Sequence, residues 1–275
     1  MEIVRKIYKN SIILLGILIL VGISIIWGYR SFNVGIEFES ILGIIIYLIF
    51  IIANVVLIWR VKALTENKIL SIIWVILMLL IPRVISICMY KEISPVSDLR
   101  LYYNISTIIT KQGLINETLI NDLDISNYIS MFPYVVFYPL MIVPFLKIFG
   151  TGVISVQIFN LIINILSGII LYFIVKNVTN NKKNAMIGVM VWALWPSQAL
   201  YTPLVYTEHI FVFFSLLFIL NYIKFRKKQE DKVNLRGTIV FSIISGILAF
   251  STIQSRNAGL IILIAICIYE LIIVK

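Results

Sequence analysis

Long apolar runs separated by short polar connections dominate the chain, and one long polar interruption divides them. A membrane-spanning helix needs roughly 20 predominantly apolar residues. Ser11–Tyr29, Ile41–Val61 and Ile69–Tyr90 meet this before the interruption. Val153–Val175, Ala185–Pro203, Glu208–Ile223, Thr238–Ile253 and Ala258–Val274 meet it afterwards, which makes eight spans. Inside the interruption, Lys91–Gly152, the residues Leu101, Tyr102, Ile105, Ile108 and Ile109 fall at helical spacing. With Asn104, Thr107, Thr110 and Lys111 on the other face, this predicts an amphipathic helix resting on the membrane. Ser97 or Asp98 stands where its N-cap belongs, and Gly113 where its C-cap belongs. The apolar segment Pro133–Gly150 carries Pro133, Pro139 and Pro144, which fits an interrupted surface element or re-entrant hairpin better than a straight span.

Charge supplies the topology. Lys and Arg collect on the cytoplasmic side of membrane proteins. Three lie near the N-terminus (Arg5, Lys6, Lys9), three between Arg60 and Lys68, three between Lys176 and Lys183, and six between Lys224 and Arg236. Eight spans place all four clusters, and the N-terminus, in the cytoplasm and leave Lys91–Gly152 outside. A ninth crossing at Pro133–Phe149 would break that agreement. The basic start and first apolar run resemble a signal peptide, but no small-residue cleavage site follows, so an uncleaved first helix is expected.

Composition agrees: 61% of the 275 residues are hydrophobic and only 13% are charged, against about a quarter in soluble domains. The expected fold is therefore an all-α polytopic membrane protein, one integral domain over 1–275, with three spans in 1–90, an extracytoplasmic loop over 91–152 and five spans in 153–275. The net charge of +10 belongs to the topology clusters and does not mark a nucleic-acid binder. Cys88 and Cys267 lie within apolar runs and read as small core residues. Abundant Ile, Asn and Lys point to an AT-rich bacterial genome.

Chemistry concentrates at few positions. The interruption holds five of the thirteen acidic residues, and Asp98 among them opens a helix. A helix N-terminus favours a negative charge, and a positioned carboxylate can take a proton from a hydroxyl. The same residue could simply cap the helix; the two roles are compatible. Arg100 follows closely and suits phosphate. Arg83 lies about two turns inside the third span, where it is either functional or snorkels to the outer surface. Glu208 opens the sixth span and Arg256 the eighth, both on the side of Asp98. His209, the single histidine, lacks the His or Cys partners of a zinc site. No phosphate-binding glycine loop, nucleophile elbow or Asp-x-Asp pair near Asp98 occurs, so no metal or other cofactor is expected.

These residues resemble the GT-C superfamily, the polyprenyl- or dolichyl-phosphate-sugar-dependent glycosyltransferases that include protein O-mannosyltransferases and lipid A aminoarabinose transferases (the family 39-like enzymes). Pro95-Val-Ser-Asp98…Tyr102 is similar to that family's first extracytoplasmic loop, where an acidic residue serves as base. Tyr138-Pro139-Leu140…Phe149-Gly150 resembles the stretch that closes this loop. Tyr206-Thr-Glu208 and Ser255-Arg256…Gly259 resemble an acidic helix start and an Arg-x-x-Gly segment. Family members often carry Asp-Glu or Asp-x-Asp where this chain has Asp98-Leu-Arg100, and two spans precede the family's expected first helix. Members usually run well past 275 residues, so a short or truncated copy is expected.

The resemblance implies an inverting transferase of the cell membrane working at the extracytoplasmic face, with a lipid-linked sugar as donor and a glycan, lipid or protein hydroxyl as acceptor. Asp98 would be the base. Arg256 and Arg83, with Arg100 or Lys147, would hold the donor phosphate, and Glu208 would orient the substrate. The rival is a non-enzymatic membrane protein, either a flippase for lipid-linked saccharide or an assembly partner, or an inactive truncated copy. A transporter would show broken spans with polar groups near the bilayer midplane.

Overall fold

The computed structural model describes residues 49, 52–54, 56–60, 66–90, 93–114, 117–230 and 235–273. The chain divides into two compact units, Met1–Ala53 and Asn54–Lys275. In the first, only residues 49, 52 and 53 are described, all helical, and the expected span Ser11–Tyr29 lies outside the described residues.

The described part of the second unit is helical, without a strand. It comprises α1 (Lys68–Met89), α2 (Ser97–Gln112), α3 (Glu117–Asn121), α4 (Leu123–Met131), a 3-10 turn (Pro133–Val136), α5 (Phe137–Phe149), α6 (Val153–Thr179), α7 (Lys182–Leu194), α8 (Pro196–Leu200), α9 (Glu208–Glu230), α10 (Leu235–Ser255) and α11 (Gly259–Ile273). Four of these, α1, α6, α9 and α10, are long and apolar enough to cross a membrane. The all-α polytopic class read from the sequence is the one found. α11 is apolar but only 15 residues long.

Local chemistry sets the ends. Asn67 caps α1, its Oδ1 accepting from the Ile69 and Leu70 amides at 2.9 and 3.3 Å. α6 stops at Asn180, whose left-handed backbone (φ 52°) returns its N–H to Lys176 O. Asn181 then caps α7 through the Lys183 amide at 2.8 Å.

Three expectations need correction. Ala185–Pro203 is not one helix. Trp195 turns extended (ψ 116°) ahead of Pro196, as a residue before proline tends to. The 13 residues of α7 rise only about 20 Å, short of a hydrocarbon core of about 30 Å. The second correction concerns α2, which packs on protein: Ile105 and Ile109 are buried against Ile125 of α4 and Val143 of α5. Third, Cys88 and Cys267 are exposed on their helices and belong to no core cluster. By contrast, Pro133 acts as expected, while Pro139 and Pro144 lie within the continuous α5. α4 meets the Pro133–Phe149 segment at a 115° bend, the form of a broken span or re-entrant loop.

α6 is the central post, packed against α1, α5, α7 and α9. Gly168 on α6 faces Leu79 of α1, where a Cβ would collide with the leucine side chain, so the small residue lets the two helices close. Tyr138, Ile142 and Leu146 of α5 pack with Val156, Phe159 and Ile163 of α6 and with Val205 and Ile210. At the opposite end of α6, Tyr222 of α9 hydrogen-bonds Glu270 of α11, and Arg226 lies 3.7 Å from the same carboxylate.

Candidate functional site

Asp98 enters through α2. The N-cap of that helix is Val96, which makes no side-chain bond, so neither Ser97 nor Asp98 caps it. Gly113 does close it, with φ 89° and its N–H on Ile109 O. Ser97 adopts φ 51°, a left-handed conformation unfavourable for a residue with a Cβ. Asp98 follows in the first turn, exposed, where free amides favour its charge.

One turn further, Tyr102 lies on the same face as Asp98. Tyr128 and Asp98 stand near enough to act on its phenol electrostatically. Burial first, and then these neighbours, raise the Tyr102 pKa far above the usual phenol value. Arg100 is two residues from Asp98, about 200° around the helix, and faces away from this group.

From Tyr102 the contacts run downstream. Its ring lies 6.0 Å from that of Tyr138, edge-on at 77°. The buried Tyr138 hydroxyl donates to Asn160 Oδ1 and accepts from the Tyr206 N–H, each at 3.2 Å. The loop between α8 and α9 is thereby fixed to α5 and α6.

That loop is held carbonyl by carbonyl. Asn160 Nδ2 donates to Thr202 O (3.0 Å) and Leu204 O (2.6 Å), and Gln157 Nε2 to Pro203 O (3.2 Å) and Tyr90 O (3.3 Å). Asn164 Nδ2 donates to His209 Nδ1 at 3.0 Å, so Nε2 carries the ring proton and donates to Tyr201 O at 2.9 Å. Four successive carbonyls freed by the helix break are thus satisfied by side chains, the arrangement that irregular backbone at membrane depth requires.

The loop delivers Glu208 at the start of α9. Glu208 forms an ion pair with Arg256, which stands in the turn between α10 and α11. Thr207 Oγ1 donates to the second carboxylate oxygen at 3.4 Å. The turn is tight: Arg256 N–H reaches Thr252 O at 3.3 Å, and Gly259 N–H reaches Arg256 O at 2.8 Å. A Cβ on Gly259 would stand 2.7 Å from the Thr252 carbonyl, so the position demands glycine. The arginine side chain is 43% exposed and its partner 23%, so the carboxylate braces a guanidinium that keeps an open side. The 3-10 turn packs against both α2 and α10. Asp98 and the Glu208–Arg256 pair therefore occupy the same end of the bundle, connected through Tyr102, Tyr138 and Tyr206.

The other expected phosphate ligands stand apart. Arg83 has no exposed surface, and its Nη1 donates to Leu79 O at 2.9 Å and Ala193 O at 3.4 Å. Its Nε and Nη2 have no partner among the described residues. Snorkelling is overturned: the side chain is buried, with Nη1 on backbone beside the point where α7 stops. Lys147 is exposed in the last turn of α5, nine residues and about 13 Å of rise from Tyr138.

Sequence reasoning missed Gln157, Asn160, Asn164 and Tyr128. The first three had a signal: with Ser167 they fall at i, i+3, i+7 and i+10 in an otherwise apolar span, one helical face. Tyr128 had none, since nothing local ties it to Asp98, thirty residues away.

Residues 133–274, just over half of the chain, match a family of proteins described as dolichyl-phosphate-mannose-protein mannosyltransferases. Lys147, Glu208 and Arg256 lie inside the matched stretch, while Arg83, Asp98 and Arg100 precede it. No curated protein and no solved structure matches the chain.

Proposed function

We propose a specific reaction for this chain, which belongs to the dolichyl-phosphate-mannose-protein mannosyltransferase family and is thus a multi-pass membrane glycosyltransferase of the GT-C type. The donor is a sugar linked to a polyprenyl phosphate, and the acceptor is a hydroxyl presented on the extracytoplasmic side, where residues 91–152 lie. Asp98 takes the hydroxyl proton. The acceptor oxygen forms a bond to the anomeric carbon from the face opposite the phosphate, the carbon–oxygen bond to phosphate breaks, and the electron pair leaves with the lipid phosphate. The sugar is inverted.

Arg256 meets the charge that grows on the departing phosphate, where a pre-oriented cation has its largest effect. Glu208 keeps it in place, and Arg100 and Lys147 attract the anionic donor from the surface. Arg83 is better read as a structural residue, because its bonds go to main-chain carbonyls. The observation that carries the reading is the Glu208–Arg256 ion pair, with the loop before Glu208 tied to α5 by the Tyr206–Tyr138 bond and α2 packed on the same tyrosine through Tyr102.

The break between α7 and α8 and the buried amides of α6 give the transporter reading its one point of support. Those amides are already engaged by the carbonyls of 202–204 and by His209, which favours the enzyme. The deciding assay is transfer from a labelled polyprenyl-phosphate sugar in membranes, comparing wild type with Asp98→Asn. Equal, non-zero rates would remove Asp98 as base. No transfer by either, with donors of several sugars, would overturn the reaction for this chain.

A further inference from the structure

α6 carries a second feature at its other end, about 40 Å from the first for a helix of 27 residues. There a cavity of about 670 Å³ opens to the surface, lined by Trp59, Glu66, Asn181, Lys182, Lys183 and Asn184. None of these residues takes part in the reaction proposed above. The size falls within the range of small-ligand sites, roughly 300–1,000 Å³.

The charge of the cavity comes from segments far apart in sequence. Lys183 Nζ donates to Trp59 O at 3.4 Å and stands 5.8 Å from the centre of the Trp59 ring, which holds its ammonium at the cavity wall. Lys182 is exposed beside it. Lys227 Nζ reaches Asn180 Oδ1 at 3.3 Å, which brings the basic end of α9 to the rim. Two lysines against the single carboxylate of Glu66 leave the lining positive. Asn181 spends its Oδ1 on the Lys183 amide, and the Asn184 side chain is exposed, so amide donors supplement the ammonium groups.

We infer that this cavity seats the phosphate of an anionic membrane phospholipid. A free phosphate would find the same cations, but the surroundings favour a lipid. Val56 (51% exposed) and Ile69 (68% exposed) lie within three residues of Trp59 and Glu66, and Val178 (64% exposed) closes α6 nearby. Exposed apolar surface directly against a basic pocket offers acyl chains a path while the head group stays among the lysines, and Trp59 is the residue type that anchors at this depth. Basic pockets between spanning helices on the cytoplasmic side bind anionic head groups in this way.

The test uses the purified full chain in phosphatidylcholine nanodiscs containing increasing phosphatidylglycerol, with lipid retention read by native mass spectrometry. Phosphatidylglycerol should be retained in preference to phosphatidylcholine. Lys182→Gln with Lys183→Gln should weaken that retention roughly 10- to 30-fold. Lys111→Gln, which removes a charge from α2 at the far end, should leave it unchanged. Glu66→Gln should strengthen retention, a direction that misfolding cannot imitate. Equal retention of the two lipids, or indifference to the lysine pair, would overturn the proposal. Displacement of phosphatidylglycerol by millimolar inorganic phosphate would overturn it in favour of a soluble ligand.

Discussion

In its first turns α6 buries Gln157, Asn160 and Asn164, and each spends its amide on a carbonyl or a histidine of another segment or on its own helix. Beyond its last turn the chain leaves Asn180, Asn181 and Lys182 exposed around an open cavity. The first arrangement uses neutral groups, because a buried amide costs less than a buried charge, even where Gln157 Oε1 has no partner among the described residues. The second uses charges, because water and lipid head groups stabilise them. The lesson is that polarity fixes backbone at one end and remains available to a partner at the other. Only the fixed end can hold a reacting group still.

The largest effect that would break this contrast is on transfer. Asp98→Asn should lower the rate by about 10²–10⁴-fold, the usual worth of a positioned base. It should leave unfolding in detergent unchanged, because Asp98 is exposed. Arg256→Gln should follow, raising the donor KM or lowering kcat by roughly 10- to 100-fold, the loss expected for a charge-assisted contact of about 1.5–3 kcal/mol. Arg256→Lys should recover only part of this, since a point charge lacks the planar fork.

Stability measurements sharpen the same contrast. Asn160→Leu strands the Thr202 and Leu204 carbonyls and should cost about 1–3 kcal/mol for each buried group left unpaired, read as a lower unfolding midpoint in detergent. Lys182→Gln at the other end should move that midpoint by less than about 0.5 kcal/mol, as surface changes do. Gly259→Ala should cost about 1–3 kcal/mol by pressing a Cβ onto the Thr252 backbone, and should lower transfer as well because Arg256 sits in the same turn. The smallest effect on transfer is Tyr128→Phe. Loss of the hydroxyl that neighbours Asp98 should lower transfer no more than about 10-fold, the worth of roughly 0.5–1.5 kcal/mol.

Much of the fold could be read because apolar runs state their own length. α1, α6, α9 and α10 begin within about three residues of the expected spans, and Pro133 announces a bend. Asp98 was legible through its position at a helix start, though Val96 and not an Asx or Ser side chain stands at the cap. The break at Trp195 had a signal in Pro196 that the length of the surrounding apolar run masked, and hydropathy does not distinguish helix from a loop pinned by distant amides. The burial of Arg83 was hidden for a related reason: an arginine near a helix end reads as surface until the neighbouring helix is known to stop and offer Ala193 O. Contacts between segments such as Tyr128 with Asp98 depend on how α4 turns back over α2, and no local pattern records that.

The bond from Tyr222 to Glu270, with Arg226 beside it, bears on how the chain is made. A carboxylate in a short apolar helix resists insertion into lipid; the cost is about 2.5–3.5 kcal/mol at a helix centre and smaller toward the end, where Glu270 lies. α11 is synthesised after α9, so the donors Tyr222 and Arg226 already stand in the bilayer when Glu270 emerges. Pairing with Arg226 and Tyr222 would offset that cost and draw α11 in beside α9. The order of synthesis then matters to the outcome, and a chain lacking Arg226 and Tyr222 should leave α11 at the membrane surface, open to protease.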